Sequence, residues 1–279
     1  MLNLDEIRKE FDAGFTGINA FRSMRKEYLQ CKTLEFIFQG PFKDKLIFIG
    51  GTKLRLFNNF RRFSEDLDFD LAGGYNSNDH LALCEYLVKD FKKQNIDAEI
   101  DQEEQIQEVD VQTRYINFPD IMERAGFKDV PGRKFYLKID AHKHHYGSYS
   151  YETEIKVLNR FDVFTLVKCA PDSMILATKL CSILERSKGR DFYDIVELVK
   201  TTKPDMDYIS KRLEFGRLKV KYTGPDSYME LLRPVLLTVD WKDKAREIEK
   251  FLFNPDEAKK VEMFPEYATE ESITRWLEK

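Results

Sequence analysis

The chain has 279 residues, with 45 lysines and arginines against 49 aspartates and glutamates, which gives a formal net charge of −4. Hydrophobic residues make up 42% and charged residues 34%, so the chain can form a core and is not of the disordered class. The charge excludes a strongly basic protein that coats nucleic acid, although it leaves a local basic groove open. The length fits one large or two small domains.

The sequence also indicates a cellular compartment. No segment approaches the roughly 20 apolar residues of a membrane span, and residues 1–12 are too acidic for a secretory signal. We therefore expect a cytoplasmic protein with no membrane partner. The cysteines lack the paired spacing of a zinc site or a disulfide framework, so we predict four buried thiols. They are Cys31, Cys84, Cys169 and Cys181.

The first predicted elements are helices, followed by a strand and a short helix. Residues 4–38 carry apolar side chains at helical spacing, and residues 45–49 form a short apolar run typical of a strand. That run ends at Gly50-Gly51-Thr52, and residues 53–59 predict a short helix.

Glycines permit a tight turn and close approach of the backbone, while Thr52 can cap the helix and present its hydroxyl and N–H groups to a phosphate. An ordinary strand-to-helix turn is the alternative.

An acidic strand is predicted over residues 63–71. Asp66, Asp68 and Asp70 alternate there with apolar residues, so their side chains would share one face. Clustered carboxylates raise one another's pKa unless a cation or basic group compensates them, and Mg²⁺ is an economical choice. A solvated strand face is the alternative.

The remaining pattern predicts a mixed α+β fold. The predicted elements are a helix over 79–94, short strands over 96–118, a strand over 133–141, a strand region over 154–167, and helices from Pro171 onward. We therefore expect a mixed β-sheet core with flanking helices in residues 1–168 and a helical C-terminal domain in residues 169–279.

Four pieces of the sequence together resemble a known family, the AbiEii-type nucleotidyltransferase toxins of the DNA polymerase β-like nucleotidyltransferase superfamily. The family's first motif resembles two segments of this chain, Gly50-Gly51-Thr52 and Arg62-Phe63-Ser64-Glu65-Asp66-Leu67-Asp68-Phe69. Asp140 has the apolar setting of the superfamily's third carboxylate, and the last motif matches Lys179, Arg186, Arg190, Asp191 and Asp194. The resemblance covers about residues 30–200 and implies a nucleotidyltransferase-like fold.

The resemblance implies a metal-dependent reaction in which a nucleoside triphosphate (NTP) donates its nucleoside monophosphate (NMP) to an acceptor. By this resemblance, Asp66, Asp68 and Asp140 hold two Mg²⁺ or Mn²⁺ ions, and Lys179 and Asp191 join them as catalytic residues. The nucleotide-binding residues that it implies are Gly50, Gly51, Thr52, Ser64, Lys179, Arg186, Arg190 and Asp194.

The spacing of the last motif suits a polyphosphate. Lys179 and Arg186 fall near one helix face, and both side chains bind phosphate groups well. The alternative is a surface ion-pair network between two helices, in which Asp191 and Asp194, one turn apart, orient basic side chains instead of acting chemically.

Two residues depart from the family's motifs. Thr52 replaces the serine of many superfamily members and keeps the hydroxyl, and Asp70 extends the acidic pattern, where we expect a solvent-exposed strand end. On a strand that continues from Asp140, His142 and His144 would share its face, close to the proposed site. No second Cys or His pair has zinc spacing, so for His142, His144 and His145 a basic edge that meets nucleic acid or solvent is favoured over a structural metal.

The function that this resemblance implies is the toxin of a type IV toxin–antitoxin or abortive phage infection system. Its acceptor would be RNA, by analogy the 3′ end of a tRNA, and its partner a transcriptional-repressor antitoxin whose direct contact stays open. The alternatives are nucleotide transfer to a protein or a small molecule, and a non-catalytic module that binds nucleotide or RNA. Residues 201–279 show only helical patterns and charge, which indicate no particular role.

Overall fold

The computed structural model describes residues 3–11, 18–101, 106–108, 111–119, 121, 135–142, 146 and 148–278. The chain divides into two compact units. The first comprises Met1–Asn59, Phe63–His144 and Thr153–Cys169, and the second comprises Phe60–Arg62, His145–Glu152 and Ala170–Lys279. The expected boundary between residues 168 and 169 stays a prediction about independent domains.

The first unit is built on a mixed sheet, which has eight strands among the described residues. They are β1 (Leu46–Ile49), β2 (Asp66–Leu71), β3 (Glu99–Ile100), β4 (Ile106–Glu108), β5 (Val111–Asn117), β6 (Tyr136–His142), β7 (Glu154–Arg160) and β8 (Val163–Cys169). The order is β3-β5-β6-β2-β1-β8-β7, with β4 also paired to β5. Strand β2 runs parallel to β6 and β1 runs parallel to β8, whereas the other pairs are antiparallel.

Helices cover this sheet, as the apolar spacing predicts. Those described in the first unit are α1 (Leu4–Arg8), α2 (Ile18–Gln39), α3 (Gly50–Phe57) and α4 (Ser77–Lys93). Helix α2 packs against β8 and β6, and α4 packs against β5. Leu67 and Phe69 of β2 are fully buried, and each contributes roughly 1.5–3 kcal/mol by leaving water. These two residues fix which face of β2 turns away from the core, because side chains alternate along a strand.

A buried ion pair holds three elements of this unit together. Glu27 of α2 accepts hydrogen bonds from Arg55 of α3, with an Nε–Oε2 distance of 2.8 Å, and pairs with Arg160 of β7 at an Nη2–Oε1 distance of 2.8 Å. A buried carboxylate is tolerated only when it is paired in this way. The contact therefore ties α2, α3 and β7 into one arrangement.

The second unit is helical, as predicted from Pro171 onward. Its described helices are α5 (Asp172–Glu185), α6 (Gly189–Leu198), α7 (Met206–Phe215), α8 (Pro225–Thr238), α9 (Trp241–Glu249), α10 (Lys259–Glu262), α11 (Phe264–Tyr267) and α12 (Glu270–Leu277), with a 3₁₀ turn at Pro255–Ala258. Phe192, Trp241 and Phe264 form an aromatic cluster with ring centroids 4.8–5.6 Å apart. This cluster joins α6, α9 and α11 through apolar contacts.

The mixed sheet with flanking helices and a helical C-terminal region is therefore confirmed. The four cysteines are buried free thiols, as expected. One local difference is that residues 154–167 were predicted as a single strand region, whereas the structure has a hairpin of β7 and β8. In the turn, Phe161 has φ of +57°. Glycine or asparagine at this position would have indicated such a conformation, whereas phenylalanine does not. Among the described helices, none is long and apolar enough to cross a bilayer.

Candidate active site

The turn between β1 and α3 brings the backbone against an acidic side chain. Gly50 has φ of +79°, and a Cβ atom added there would lie 2.9 Å from the Cγ atom of Asp68. The position therefore requires glycine both for its backbone conformation and for this close approach. The start of α3, whose first N–H groups have no partner within the helix, lies beside the carboxylate of Asp68.

The polar residues near this turn have structural partners. Thr52 is fully buried, and its hydroxyl donates a hydrogen bond to the backbone carbonyl of Asp66. The expectation that Thr52 caps the helix is wrong, because α3 begins at Gly50 and its N-cap residue, Ile49, makes no side-chain bond. The backbone carbonyl of Ser64 accepts a hydrogen bond from the side-chain amide of Gln30 at 3.0 Å. The phosphate contacts predicted for Gly50, Gly51, Thr52 and Ser64 stay predictions.

Strands β2 and β6 place six polar residues on one face of the sheet, which we call the carboxylate ladder. Its three pairs in the parallel register are Asp66 with Lys138, Asp68 with Asp140, and Asp70 with His142. Paired residues of neighbouring strands point the same way, and alternate residues of one strand share a face. The middle pair thus brings two carboxylates side by side, with a basic residue in each flanking pair.

Hydrogen bonds hold the middle pair of the ladder. The hydroxyl of Thr113 on β5 donates to Asp140 Oδ1 at 2.6 Å, and the ammonium group of Lys138 donates to Asp140 Oδ2. His142 Nε2 lies 3.5 Å from Asp68 Oδ1. Asp140 is therefore bound on both oxygens, whereas Asp68 and His142 each keep a quarter of the side chain exposed.

The electrostatics of the ladder follow from these contacts. Burial lowers the pKa of Lys138, but the hydrogen bond to Asp140 and the charges of Asp140, Asp66 and Asp68 outweigh burial and raise that pKa. Burial lowers the pKa of His142 as well, and its bond to Asp68 with the nearby carboxylate charges again raises the pKa. The repulsion predicted for clustered carboxylates is thus offset by basic side chains from β6.

The ladder fits a divalent cation. Asp68, Asp140 and His142 each offer one ligand atom, and the three atoms lie within 4.8 Å of one another. Carboxylate oxygens and an imidazole nitrogen are a donor set that divalent ions accept. Asp66 lies beside Lys138 in the register, and its predicted metal role stays a prediction.

The end of the ladder formed by Asp70 and His142 differs from the expectations drawn from the sequence. Asp70 is only 4% exposed, so the expected solvent-exposed strand end is wrong. The reason is that β2 is a central strand, which places Asp70 between Ile47 of β1 and His142 of β6. His142 shares the strand face of Asp140, as predicted, but it faces Asp68 and does not form a basic edge. His144 and His145 lie outside the described residues.

A second polar group, which we call the lysine cluster, lies within the helical unit. Lys179 Nζ lies 2.7 Å from Asp191 Oδ1 and 2.9 Å from Asp194 Oδ2. Arg62 donates two bonds of 2.6 Å to the two carboxylate oxygens of Asp194. Arg186 Nε lies 3.3 Å from Asp191 Oδ2. Ion pairs around the buried Lys179 thus connect α5 with α6.

Burial and opposite charge compete in the lysine cluster. Burial raises the pKa of Asp191, but Lys179 and Arg186 outweigh it and lower this pKa to about 2. Burial lowers the pKa of Lys179, whereas Asp191 and Asp194 outweigh burial and raise it. The opposite charges therefore favour the ionised forms of Lys179 and Asp191. The alternative of a surface ion-pair network is wrong about the location, because Asp191 and Asp194 are buried.

Sequence reasoning missed several members of these two groups. The alternation over residues 133–141 puts Lys138 and Asp140 on one strand face, but it does not indicate that the two side chains bond to each other. Thr113 carries no signal, because its contact depends on the register of β5 and β6. Arg62 belongs to the first motif, but its partner Asp194 is 132 residues away in the chain. Arg190 places its guanidinium group 5.1 Å from the centre of the Phe251 ring, and its predicted nucleotide contact stays a prediction.

The fold is similar to that of a solved nucleotidyltransferase toxin. MenT4, a nucleotidyltransferase toxin of Mycobacterium tuberculosis H37Rv, superposes with a TM-score of 0.63 at 14% sequence identity, over 99% of this chain and 93% of that chain. JHP933 from Helicobacter pylori gives a TM-score of 0.47 at 18% identity, over 91% of this chain and 94% of that chain. No curated protein matches the sequence significantly.

The family is shown by the sequence itself. The family described as nucleotidyl transferase AbiEii toxin, type IV toxin–antitoxin system, matches residues 34–268. The chain belongs to this AbiEii nucleotidyltransferase toxin family, and the resemblance found in its motifs is confirmed. Membership implies an NTP substrate and a cognate antitoxin, and nucleotidyltransferases generally use divalent metals.

Proposed function

We propose that the protein transfers the NMP portion of an NTP to an RNA acceptor, the 3′ end of a tRNA, with Mg²⁺ or Mn²⁺ as cofactor. It acts as a cytoplasmic toxin in a type IV toxin–antitoxin or abortive phage infection system, with a transcriptional-repressor antitoxin as its cognate partner. The observation that carries this proposal is the paired Asp68 and Asp140 on neighbouring strands, in a chain of a nucleotidyltransferase family.

The carboxylate ladder is proposed to hold the cofactor. Two divalent ions would neutralise the triphosphate and stabilise charge as the acceptor hydroxyl attacks in line. Asp66 and Asp68 are assigned to both ions, and Asp140 to the ion on the acceptor side. Thr113 and Lys138 hold the Asp140 carboxylate in a fixed orientation, which supports its role as a metal ligand. A second assignment, carried over from the family resemblance, is that Asp140 helps to take up the proton of the acceptor hydroxyl.

The turn before α3 is proposed to bind the phosphates of the NTP. Gly50 and Gly51 permit a close backbone approach, and the first N–H groups of a helix attract anions. Because the hydroxyl of Thr52 is bonded to Asp66, we assign phosphate binding at Thr52 to its backbone N–H. We assign phosphate binding to Ser64 as well.

The basic residues of the helical unit are proposed to bind the triphosphate and the leaving pyrophosphate. Lys179 and Arg186 carry this role, and Arg186 keeps 51% of its side chain exposed, so it can turn toward an anion. Arg190 is assigned a supporting contact. Asp191 and Asp194 bond to Lys179, so we assign both as positioning residues that hold this lysine in place.

Transfer of label from α-³²P-labelled NTPs to bacterial lysate fractions tests the proposal. Each of the four ribonucleotides is supplied with Mg²⁺, and the wild type is compared with the Asp66→Ala/Asp68→Ala variant. We expect label in tRNA-sized RNA with the wild type only. Label in protein would support transfer to a protein instead, and label in neither fraction would favour the non-catalytic binding module.

A further inference from the structure

The two ends of the carboxylate ladder differ in their basic side chain, which is Lys138 at one end and His142 at the other. At the Asp66 end, the ammonium group of Lys138 bonds to Asp140 and its charge is matched by the neighbouring aspartates. At the Asp70 end, His142 faces Asp68 with a 3.5 Å separation between Nε2 and Oδ1. An imidazole can act as a metal ligand through this nitrogen, whereas an ammonium group cannot.

The distances at the His142 end suit coordination of one ion. Two ligand atoms about 2.2 Å from the same ion are separated by at most about 4.4 Å. The ligand atoms of Asp68, Asp140 and His142 lie within 4.8 Å of one another, so small side-chain rotations bring all three to an ion. Asp68 and His142 are each a quarter exposed, which leaves an approach from solvent.

We propose that His142 is a nitrogen ligand of the divalent ion and makes this site select a transition-metal ion such as Mn²⁺ over Mg²⁺. The proposal rests on the proposed function, since it concerns the ion used there. Mg²⁺ is a hard ion that takes oxygen ligands and keeps its waters, whereas transition-metal ions accept imidazole beside carboxylates. A site of Asp68 and Asp140 alone would discriminate less between the two ions.

Pulsed electron paramagnetic resonance of Mn²⁺ bound to the full chain tests the nitrogen ligand directly. We expect ¹⁴N coupling to Mn²⁺ in the wild type and its loss in His142→Gln, which replaces the nitrogen by an amide oxygen. Competition titration in the same samples measures selectivity. We expect at least tenfold preference for Mn²⁺ over Mg²⁺, falling at least fivefold in His142→Gln because only Mn²⁺ binds more weakly.

Controls separate this inference from the proposed reaction. Asp68→Asn should weaken both ions, because it removes a shared ligand, and circular dichroism should confirm that each variant is folded. Absence of ¹⁴N coupling, absence of bound Mn²⁺, or an unchanged selectivity in His142→Gln overturns the inference. Label transfer that persists with Mg²⁺ would then leave the proposed reaction standing. Intact ¹⁴N coupling without label transfer would overturn the reaction alone.

Discussion

Replacing Asp194 by asparagine should strongly destabilise the helical unit. Asp194 is fully buried and pairs with Arg62, which is 1% exposed, and with Lys179. The substitution keeps the side-chain shape but leaves two buried cations with one fewer negative charge. Breaking a buried pair in this way costs about 3–5 kcal/mol. That is a large part of the 5–15 kcal/mol by which domains are usually stable.

Urea unfolding followed by tryptophan fluorescence measures this loss, because both tryptophans, Trp241 and Trp276, lie in the helical unit. Asp207→Asn is the matched control. Asp207 pairs with Lys211 at 2.8 Å but is 60% exposed, so its loss should cost less than about 1 kcal/mol. Equal effects of the two substitutions would refute the argument from burial. If Asp194→Asn does not fold, Asp191→Asn provides the same comparison, since Asp191 is also buried beside Lys179.

Three further predictions concern substitutions of single residues. The pKa of Asp191 is lowered from 3.8 to about 2 in the folded protein. This shift stabilises the fold by about 2 kcal/mol above pH 4, and the stabilisation is lost as the pH falls toward 2. Acid unfolding of Asp191→Asn should lack this loss of stability between pH 4 and pH 2. Gly50→Ala should lose at least about 1 kcal/mol in thermal unfolding through its positive φ and the carboxylate beside it, whereas Gly73→Ala, which meets no atom within 4 Å, should be neutral. Thr113→Val removes the bond to Asp140 and should cost about 1–2 kcal/mol in urea; an unchanged midpoint would contradict the contact.

Local periodicity was enough to predict much of the fold. The alternation of Asp66 to Leu71 identified β2 and its polar face, because a strand repeats every two residues. The alternation over residues 133–141 predicted β6, and the helical pattern from Pro171 onward put Asp191 and Asp194 one turn apart on a helix, which is α6. The mixed sheet and the helical C-terminal region followed from these elements.

The register of contacts between distant parts of the chain was not predictable. The family resemblance implied that Asp68 and Asp140 share a metal site, but their direct pairing, and hence that of His142 with Asp70, depends on which strands become neighbours. One sequence contains no measure of that register. For the same reason the burial of Asp70 was missed, since it follows from the central position of β2 and not from local polarity.

The position of the labelled phosphate in the product tests the central claim most directly. Matched reactions with α-³²P-labelled and γ-³²P-labelled NTP distinguish transfer of a nucleotide from transfer of a terminal phosphate. The account predicts α-label on the acceptor and γ-label in pyrophosphate, both lost in Asp68→Asn and Asp140→Asn but kept in Asp207→Asn. Transfer of γ-label to the acceptor, or α-label transfer that survives Asp68→Asn, would contradict it.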